Sequence, residues 1–386
     1  MRLFTDVAAR ISDPFLSRAY TLAESGRGTT SPNPMVGCVV VSDGVVVGEG
    51  FHQHAGGPHA EIVALTAAGH TAWGSTAYVT LEPCDHFGRT PPCTSALLEA
   101  GVARVVIGMA DPSVAAAGGA STLREAGVEV CFAQDSAPFV LQNEAWLHHL
   151  RVGRPYVHVK LALSLDAHPT SALGLRTQVS GLGGAEVTMR LRSAADVVVV
   201  GSSTARIDDP ALTVRDPQFG APVSRQPLRV VFARKDVPDA SLFHDGLGES
   251  RALVPDVVSV PDGVSALRYH ATGNSSADLC AAFVALGETG ARRVLVEAGP
   301  KLFSALWEAR LIDELTLVHA GGVFGADALA LYGGGEESAG AVSAPVDRLD
   351  VRMRAVEAGV IMDDAVTVWV PLETQDVNGR QEADRE

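Results

Sequence analysis

The feature that most limits what this chain can fold into is a spaced set of metal-binding residue types: His59-Ala60-Glu61, then Pro83-Cys84, then Cys93. His59-Ala60-Glu61 opens a stretch of helical character that runs to about Ala68, and Pro83-Cys84 follows directly on the β-branched run from Thr76 to Leu81. The alternation continues with a helix over about Ser95 to Ala100, a strand over Arg104 to Met109, a helix over Ala116 to Ala126 and a strand over Val128 to Phe132. That order implies an α/β layered sandwich. Upstream, Asp13-Pro14 followed by Phe15, Leu16, Ala19, Leu22 and Ala23, then Gly26, supplies cap, first-turn proline, apolar stripe and terminator of a first helix. Val36 to Val41 and Val45 to Val47, joined by Asp43-Gly44, predict an antiparallel hairpin, because that dipeptide suits the positive φ of a tight turn.

One imidazole and two thiolates are the ligand count of a catalytic zinc, which keeps its fourth position open for water. H-x-E followed by P-C and a second cysteine is the arrangement of zinc deaminases, where a carboxylate beside the metal moves protons between water and the leaving nitrogen. His59, Cys84 and Cys93 are therefore the candidate ligands of Zn2+, and Glu61 the candidate proton carrier; the cysteines are nine apart rather than three. Outside that context His59 is a helix cap and the cysteines are small buried hydrophobes. A structural zinc is the intermediate alternative, but such sites close with four protein ligands. Cys38, Cys131 and Cys280 sit in or beside apolar strands or in a helix and are expected in the core.

The chain has 386 residues, 47% hydrophobic and 19% charged, a balance that supports two folded domains. A formal charge of −15 speaks against nucleic acid as a partner, since phosphate backbones are bound by clustered Lys and Arg. No signal-like apolar run opens the sequence and no stretch reaches the length of a membrane span, so no membrane partner and a cytoplasmic location are expected. Five scattered cysteines do not form the framework of a small secreted protein. Gly153-Arg154-Pro155 interrupts the pattern and Tyr156 to Leu163 begins a second β-rich segment. The expected division is 1–150, 151–373 and a polar, unstructured tail 374–386, with Gly333-Gly334-Gly335 as a loop. Val197 to Val200, Leu228 to Phe232, Ala277 to Leu286, Arg292 to Val296 and Leu315 to His319 make the second domain α/β as well.

Asn33-Pro34-Met35-Val36-Gly37, Gly50-Phe51-His52, Pro58-His59-Ala60-Glu61 and the string Thr80-Leu81-Glu82-Pro83-Cys84-Asp85-His86-Phe87-Gly88-Arg89-Thr90-Pro91-Pro92-Cys93 resemble the bifunctional pyrimidine deaminase/reductase family of riboflavin biosynthesis. The family inserts an H-x-G-[RK]-T-P-P loop between its cysteines, which accounts for the long spacing. The resemblance implies two three-layer domains, a cytidine-deaminase-like one followed by a dihydrofolate-reductase-like one. It also implies a small phosphorylated substrate, 2,5-diamino-6-ribosylamino-4(3H)-pyrimidinone 5′-phosphate, contacted by Asn33, His52, His86 and Arg89. Asp111-Pro112-Ser113 departs from the family's D-P-N, and Gly119 stands where the family carries arginine.

The stretch Gly201-Ser202-Ser203-Thr204-Ala205-Arg206-Ile207-Asp208-Asp209-Pro210-Ala211-Leu212-Thr213-Val214-Arg215 resembles the reductase half. That resemblance places Ala162, Thr204, Asp208 and Gly299 at NADPH, and Arg192, Leu212, Arg215 and Glu297 at the reductase substrate, with Lys160 and Asp166 lining the cleft. Glu297-Ala298-Gly299-Pro300 joins a strand to a helix, a place where backbone N–H groups can face a phosphate. Read without the resemblance, Asp208-Asp209-Pro210 is a capped turn and Arg192 a solvated helix end. This half departs from the family at Asp166-Ala167 (for D-G), at Arg176 and Gln178 (for Ser and Trp) and at Ala233-Arg234 (for D-S). The implied activity is hydrolytic deamination followed by NADPH reduction of the ribosyl group to ribityl, by a homo-oligomer. The alternatives are a deaminase with a slow or inactive reductase half, a nucleic-acid-editing deaminase, and a non-catalytic zinc-stabilised scaffold. The acidic charge and the 5% aromatic content speak against the editing enzyme.

Overall fold

Local chemistry sets where the first elements start and turn. In the computed structural model the Asp13 carboxylate accepts from the backbone N–H groups of Phe15 and Leu16, at 2.9 and 3.0 Å, and so caps α1 (Pro14–Glu24). Asp43 and Gly44 adopt φ of 50° and 77°, the doubly left-handed turn that joins β1 (Gly37–Ser42) to β2 (Val45–Phe51). The structure describes all residues except 1, 87–90, 114–116, 173, 216–224, 332–351 and 373–386. Arg89, the glycine-rich loop at Gly333 and the tail from Thr374 therefore lie outside the described residues. The chain divides into two compact units, Met1–Gly153 and Arg154–Glu386.

The first unit continues with α2 (Ala60–Ala68), β3 (Thr76–Leu81), α3 (Cys93–Glu99), β4 (Arg104–Met109), α4 (Gly119–Glu125), β5 (Glu129–Phe132), α5 (Ala137–Gln142) and α6 (Glu144–Val152). Its sheet runs β2-β1-β3-β4-β5, with β1 antiparallel to both neighbours and β3, β4 and β5 parallel. Alternate residues of β1 serve opposite faces, as the pleat requires. Cys38 and Val40 pack with Ala60, Ala64, Leu97 and Leu123 of α2, α3 and α4, while Val39 and Val41 pack with Ala19 of α1. With both faces covered, β1 is an apolar run rather than an alternating one. Gly37 makes that packing possible, since a Cβ there would lie 2.0 Å from the Ala19 carbonyl oxygen.

The second unit comprises β6 (Tyr156–Leu163), α7 (Leu182–Ala194), β7 (Val197–Gly201), α8 (Ser202–Asp208), β8 (Leu228–Phe232), β9 (Ser250–Pro255), β10 (Ala266–Tyr269), α9 (Ser275–Glu288), β11 (Arg293–Glu297), α10 (Pro300–Glu308), β12 (Glu314–His319), β13 (Met353–Ile361) and β14 (Asp364–Pro371). They form one sheet in the order β10-β9-β8-β7-β11-β6-β12-β14-β13. The strands from β10 to β12 run parallel, and the β13–β14 hairpin adds an antiparallel edge. One face buries Val157, Val159, Val197 and Val199 against Phe283 and Leu286 of α9 and Leu302 and Phe303 of α10. On the other, α7 brings Gly184 against Val318, and Asp364 accepts from the N–H groups of Gly181 and Gly184 to hold the start of that helix. Both units are thus three-layer α/β folds, the class expected from the alternation.

Several expectations need correction. Cys131 is only half-buried, on the edge strand β5, and Cys280 is exposed rather than in the core, because α9 turns Leu279, Ala282, Phe283 and Leu286 inward and leaves position 280 on the outer side. The helix expected from Ser95 starts at Cys93, which puts that cysteine in its first turn. The helix expected from Ala116 is formed over Gly119–Glu125, and residue 116 itself lies outside the described residues. Among the described residues no helix is long and apolar enough to cross a membrane.

Candidate active sites

His59 occupies the N-cap position of α2 but makes no capping hydrogen bond with its side chain. Its Nδ1 turns instead to two sulfurs, 3.2 Å from Cys93 Sγ and 3.6 Å from Cys84 Sγ. The three donor atoms all lie within 4.8 Å of one another. Ordinary Zn–N and Zn–S bonds at a tetrahedral angle put N and S about 3.6 Å apart, so this donor set fits the ion. Neither the capping nor the buried-hydrophobe reading explains three side chains converging in this way. The hydrogen bond from Cys93 holds the Cys84 thiol well below the usual range and pushes Cys93 up, while the contact with Cys84 raises His59. Glu61, in the first turn of α2, is 3% exposed, and burial pushes its carboxyl up. A carboxyl whose burial favours its protonated form is suited to taking up a proton and giving it back.

His52 and Asn33 border this cluster. The His52 ring lies edge-on to His59 with centroids 5.7 Å apart. Its Nδ1 faces the Pro58 carbonyl oxygen at 3.0 Å and must be the donor there, so Nε2 accepts from Asn33 Nδ2 at 3.1 Å. Burial lowers the His52 pKa, in keeping with this neutral tautomer. Asn33 thereby gives an amide N–H to the ring. His86 is exposed, two positions beyond Cys84.

Two carboxylates flank Pro83-Cys84, and sequence reasoning missed both. Glu82 accepts backbone N–H groups from Asp111 (3.1 Å), Gly118 (3.3 Å) and Ala120 (2.9 Å). Asp85 accepts the hydroxyls of Thr94 and Thr122, each at 2.7 Å. Gly119 lies between them, and a Cβ there would sit 1.9 Å from the Pro83 carbonyl oxygen. This backbone therefore has no room for the arginine the family carries at that position. Ser113 donates its N–H to Asp111 Oδ1 at 2.8 Å, closing a local turn.

In the second unit the register of the parallel sheet sets Lys160 of β6 opposite Glu297 of β11. Arg192 of α7 is buried, not solvated: it donates to both carboxylate oxygens of Glu297 at 2.6 and 2.9 Å and to the Thr213 carbonyl oxygen at 2.9 Å. Burial pushes the Glu297 carboxyl up, but Arg192, Lys160 and Arg215 outweigh it and hold the group below its ordinary range. Burial in turn lowers Lys160. Leu212 is fully buried, backbone included, with φ of 54°.

The loop carrying Leu212 is pinned by two further residues that the sequence did not single out. Fully buried Arg229 donates to the Ala211 carbonyl oxygen at 3.0 Å while paired with Asp245, and Gln226 holds both backbone groups of Val214 at 2.7 and 2.9 Å. Thr204 of α8 meets the N-cap of α10, where a Cβ on Gly299 would lie 2.9 Å from Thr204 Oγ1. That bare glycine beside a hydroxyl and a helix N-terminus fits the phosphate groups of a dinucleotide. Asp208 ends α8; burial raises its carboxyl, opposed by the nearby Arg176 guanidinium. Ala162 pairs with Val318 in the sheet. Asp166 does not present a free carboxylate: it is tied to Ser164 Oγ and to the N–H groups of Phe324 and Gly325, which hold it far below its usual range. The next residue, Ala167, has φ of 65°, the conformation for which the family uses glycine.

Comparison with known proteins adds independent findings. The family model described as the RibD C-terminal domain matches residues 155–366, and that of the cytidine and deoxycytidylate deaminase zinc-binding region matches residues 10–109. The riboflavin biosynthesis protein RibD of Escherichia coli is 40% identical over 329 residues, covering 82% of this chain and 89% of its own length. The protein of the same name from Haemophilus influenzae is 38% identical over 332 residues, covering 82% and 88%. Among solved structures, Acinetobacter baumannii RibD superposes with a TM-score of 0.78 at 31% identity, covering 93% of this chain and 98% of that one. The diaminohydroxyphosphoribosylaminopyrimidine deaminase/5-amino-6-(5-phosphoribosylamino)uracil reductase of Thermotoga maritima superposes with a TM-score of 0.79 at 29% identity, with the same coverage.

Proposed function

The chain belongs to the RibD family of bifunctional riboflavin-biosynthesis deaminase/reductases, and from that premise we propose a reaction for each unit and a role for each residue. The first unit deaminates 2,5-diamino-6-ribosylamino-4(3H)-pyrimidinone 5′-phosphate, and the second reduces the ribosyl group of the product to ribityl. The observation that carries this reading is the convergence of His59, Cys84 and Cys93 within 4.8 Å, beside the buried Glu61.

His59, Cys84 and Cys93 hold the zinc. Bound there, zinc supplies Lewis acidity that makes water nucleophilic at neutral pH. Glu61 accepts the proton of the attacking water and delivers it to the leaving amino nitrogen, so that water enters and ammonia departs with protons balanced. The neutral His52 fixes Asn33, whose amide oxygen receives the pyrimidine N–H groups; His86 and Arg89 are assigned to the same substrate. In the second unit Thr204, Asp208, Gly299 and Ala162 would hold NADPH, which would supply a hydride to C1′ of the ring-opened ribosylamino group, where a C=N bond becomes CH–N and a proton goes to the ring-opened sugar's nitrogen. Arg192 and Glu297 fix one wall of that site, Arg215 offers its guanidinium to the substrate phosphate, and Leu212 is assigned to the same substrate. None of the five cysteines is in a disulfide, which agrees with the cytoplasmic location we assign, and the active form we assign is a homo-oligomer.

A second reading, deaminase activity alone, draws on Ala167 in the left-handed region and on Arg176 facing Asp208. One experiment separates the two: ammonia release and NADPH absorbance followed in parallel on purified, zinc-loaded protein. The proposal expects ammonia from the diaminopyrimidine without NADPH, and NADPH oxidation when the deaminated compound is supplied. Ammonia release with no NADPH oxidation on the deaminated compound would leave the deaminase alone.

A further inference from the structure

Cysteines nine positions apart are poorly placed to act as a pair. By loop-closure entropy, a separation of nine residues rather than three lowers the effective concentration of the second thiolate about five-fold. The structure contains a device that removes this handicap. Asp85 follows Cys84 directly and Thr94 follows Cys93 directly, and Asp85 Oδ1 accepts the Thr94 hydroxyl at 2.7 Å. Two backbone contacts reinforce the closure: the Thr94 N–H donates to the Cys84 carbonyl oxygen at 3.4 Å, and the Cys93 N–H to Cys84 Sγ at 3.4 Å. The other oxygen of Asp85 takes the Thr122 hydroxyl at 2.7 Å, which ties the same residue to α4. Thr94 is 1% exposed, so its hydroxyl has no solvent to turn to.

We propose that the Asp85–Thr94 hydrogen bond, which joins the neighbours of the two cysteines, pre-sets Cys84 and Cys93 at ligand spacing and makes Asp85 and Thr94 positioning residues of the metal site. The bond closes a short ring around Cys84 and Cys93 whatever path residues 87–90 take, so the long spacer behaves as a short one. Polar groups one step behind metal ligands typically govern metal affinity by about 10- to 100-fold. The inference rests on the assignment of His59, Cys84 and Cys93 as zinc ligands.

The test is zinc release from the loaded full-length protein to a chromophoric chelator, with equilibrium competition giving the affinity. Thr94→Val, which keeps the shape and removes the hydroxyl, is expected to weaken zinc binding about 10-fold or more. Thr94→Ser, which keeps the hydroxyl, is expected to bind as the unmodified protein does. Asp85→Ala is expected to weaken binding at least as much as Thr94→Val, and the double variant no more than Asp85→Ala, because both remove the same bond. Circular dichroism and hydrogen exchange of first-unit peptides from β1 and α1 report that the metal-site unit of each variant is folded. Zinc affinity and release unchanged in a folded Thr94→Val protein would overturn the inference. Failure of the unmodified protein to bind one zinc would overturn the ligand assignment beneath it.

Discussion

The two units build their sites from different kinds of information. In the first, the reactive groups sit at two chain landmarks, the start of α2 and the end of β3 with the start of α3, and they gather within 4.8 Å. In the second, Lys160, Arg192, Arg215 and Glu297 come from β6, α7, the loop after α8 and β11, and parallel-sheet register brings the outer pair together. Among the described residues of the first site no non-glycine residue has positive φ, whereas the second is bordered by Ala167, Asp209 and Leu212, all at positive φ. A metal site whose ligands lie in short motifs is carried by local sequence. A site for two large ligands is carried by tertiary placement and by strain the rest of the fold must offset.

Glu61→Gln should produce the largest effect and the sharpest contrast. Loss of a general acid–base carboxyl is expected to lower deaminase kcat about 10²- to 10⁴-fold with zinc content unchanged, while NADPH reduction of supplied deaminated substrate proceeds normally. A parallel loss of reduction would break the separation of the two sites.

Glu297→Gln comes next, because it leaves buried Arg192 without its countercharge. Removing one partner of a buried pair is expected to destabilise the second unit by about 3 kcal/mol at neutral pH, measured by denaturant unfolding. The folded carboxyl is held below its ordinary value of 4.5, so the pair contributes fully above that pH and its contribution fades as the pH falls through the folded value. The gap between the unmodified and Glu297→Gln proteins should therefore close in acid. A gap that widens on acidification would contradict the ion-pair account.

Ala167→Gly should give the smallest effect and the opposite sign. Relief of a left-handed alanine, less the greater chain entropy of glycine, is expected to stabilise the second unit by about 0.5–1 kcal/mol. Hydrogen exchange of peptides around Asp166 would register it, and slower exchange with unchanged or higher NADPH turnover would mark Ala167 as strain without function.

Much of the first site was legible because its residues are adjacent to punctuation the chain itself displays. The H-A-E triplet at a helix start and the proline before Cys84 pointed to the candidate ligands, and Asp13, Pro14 and Asp43-Gly44 set helix and hairpin limits by local hydrogen bonding and φ preference. What the sequence did not reveal depends on partners distant along the chain. Glu82 and Asp85 look like ordinary acidic loop residues until α4 folds back onto them, and Arg192 reads as a solvated helix end until Glu297 is placed beside it. Arg229, which holds the Ala211 carbonyl, gave no signal, since an arginine in a β-branched run carries no hint of Asp245. Cys280 is misplaced when cysteine is counted simply as apolar, although the helical stripe of Leu279, Ala282, Phe283 and Leu286 leaves it on the outer face.

The claim at the centre of this account is that zinc chemistry and NADPH chemistry reside in separate units. Its most direct test is to strip zinc from the purified full-length protein with a chelator and assay both half-reactions on supplied substrates. The account predicts that ammonia release is lost and returns on adding zinc, while NADPH oxidation with the deaminated compound continues at its original rate. Loss of both reactions on zinc removal, in protein that remains folded by circular dichroism, would contradict it.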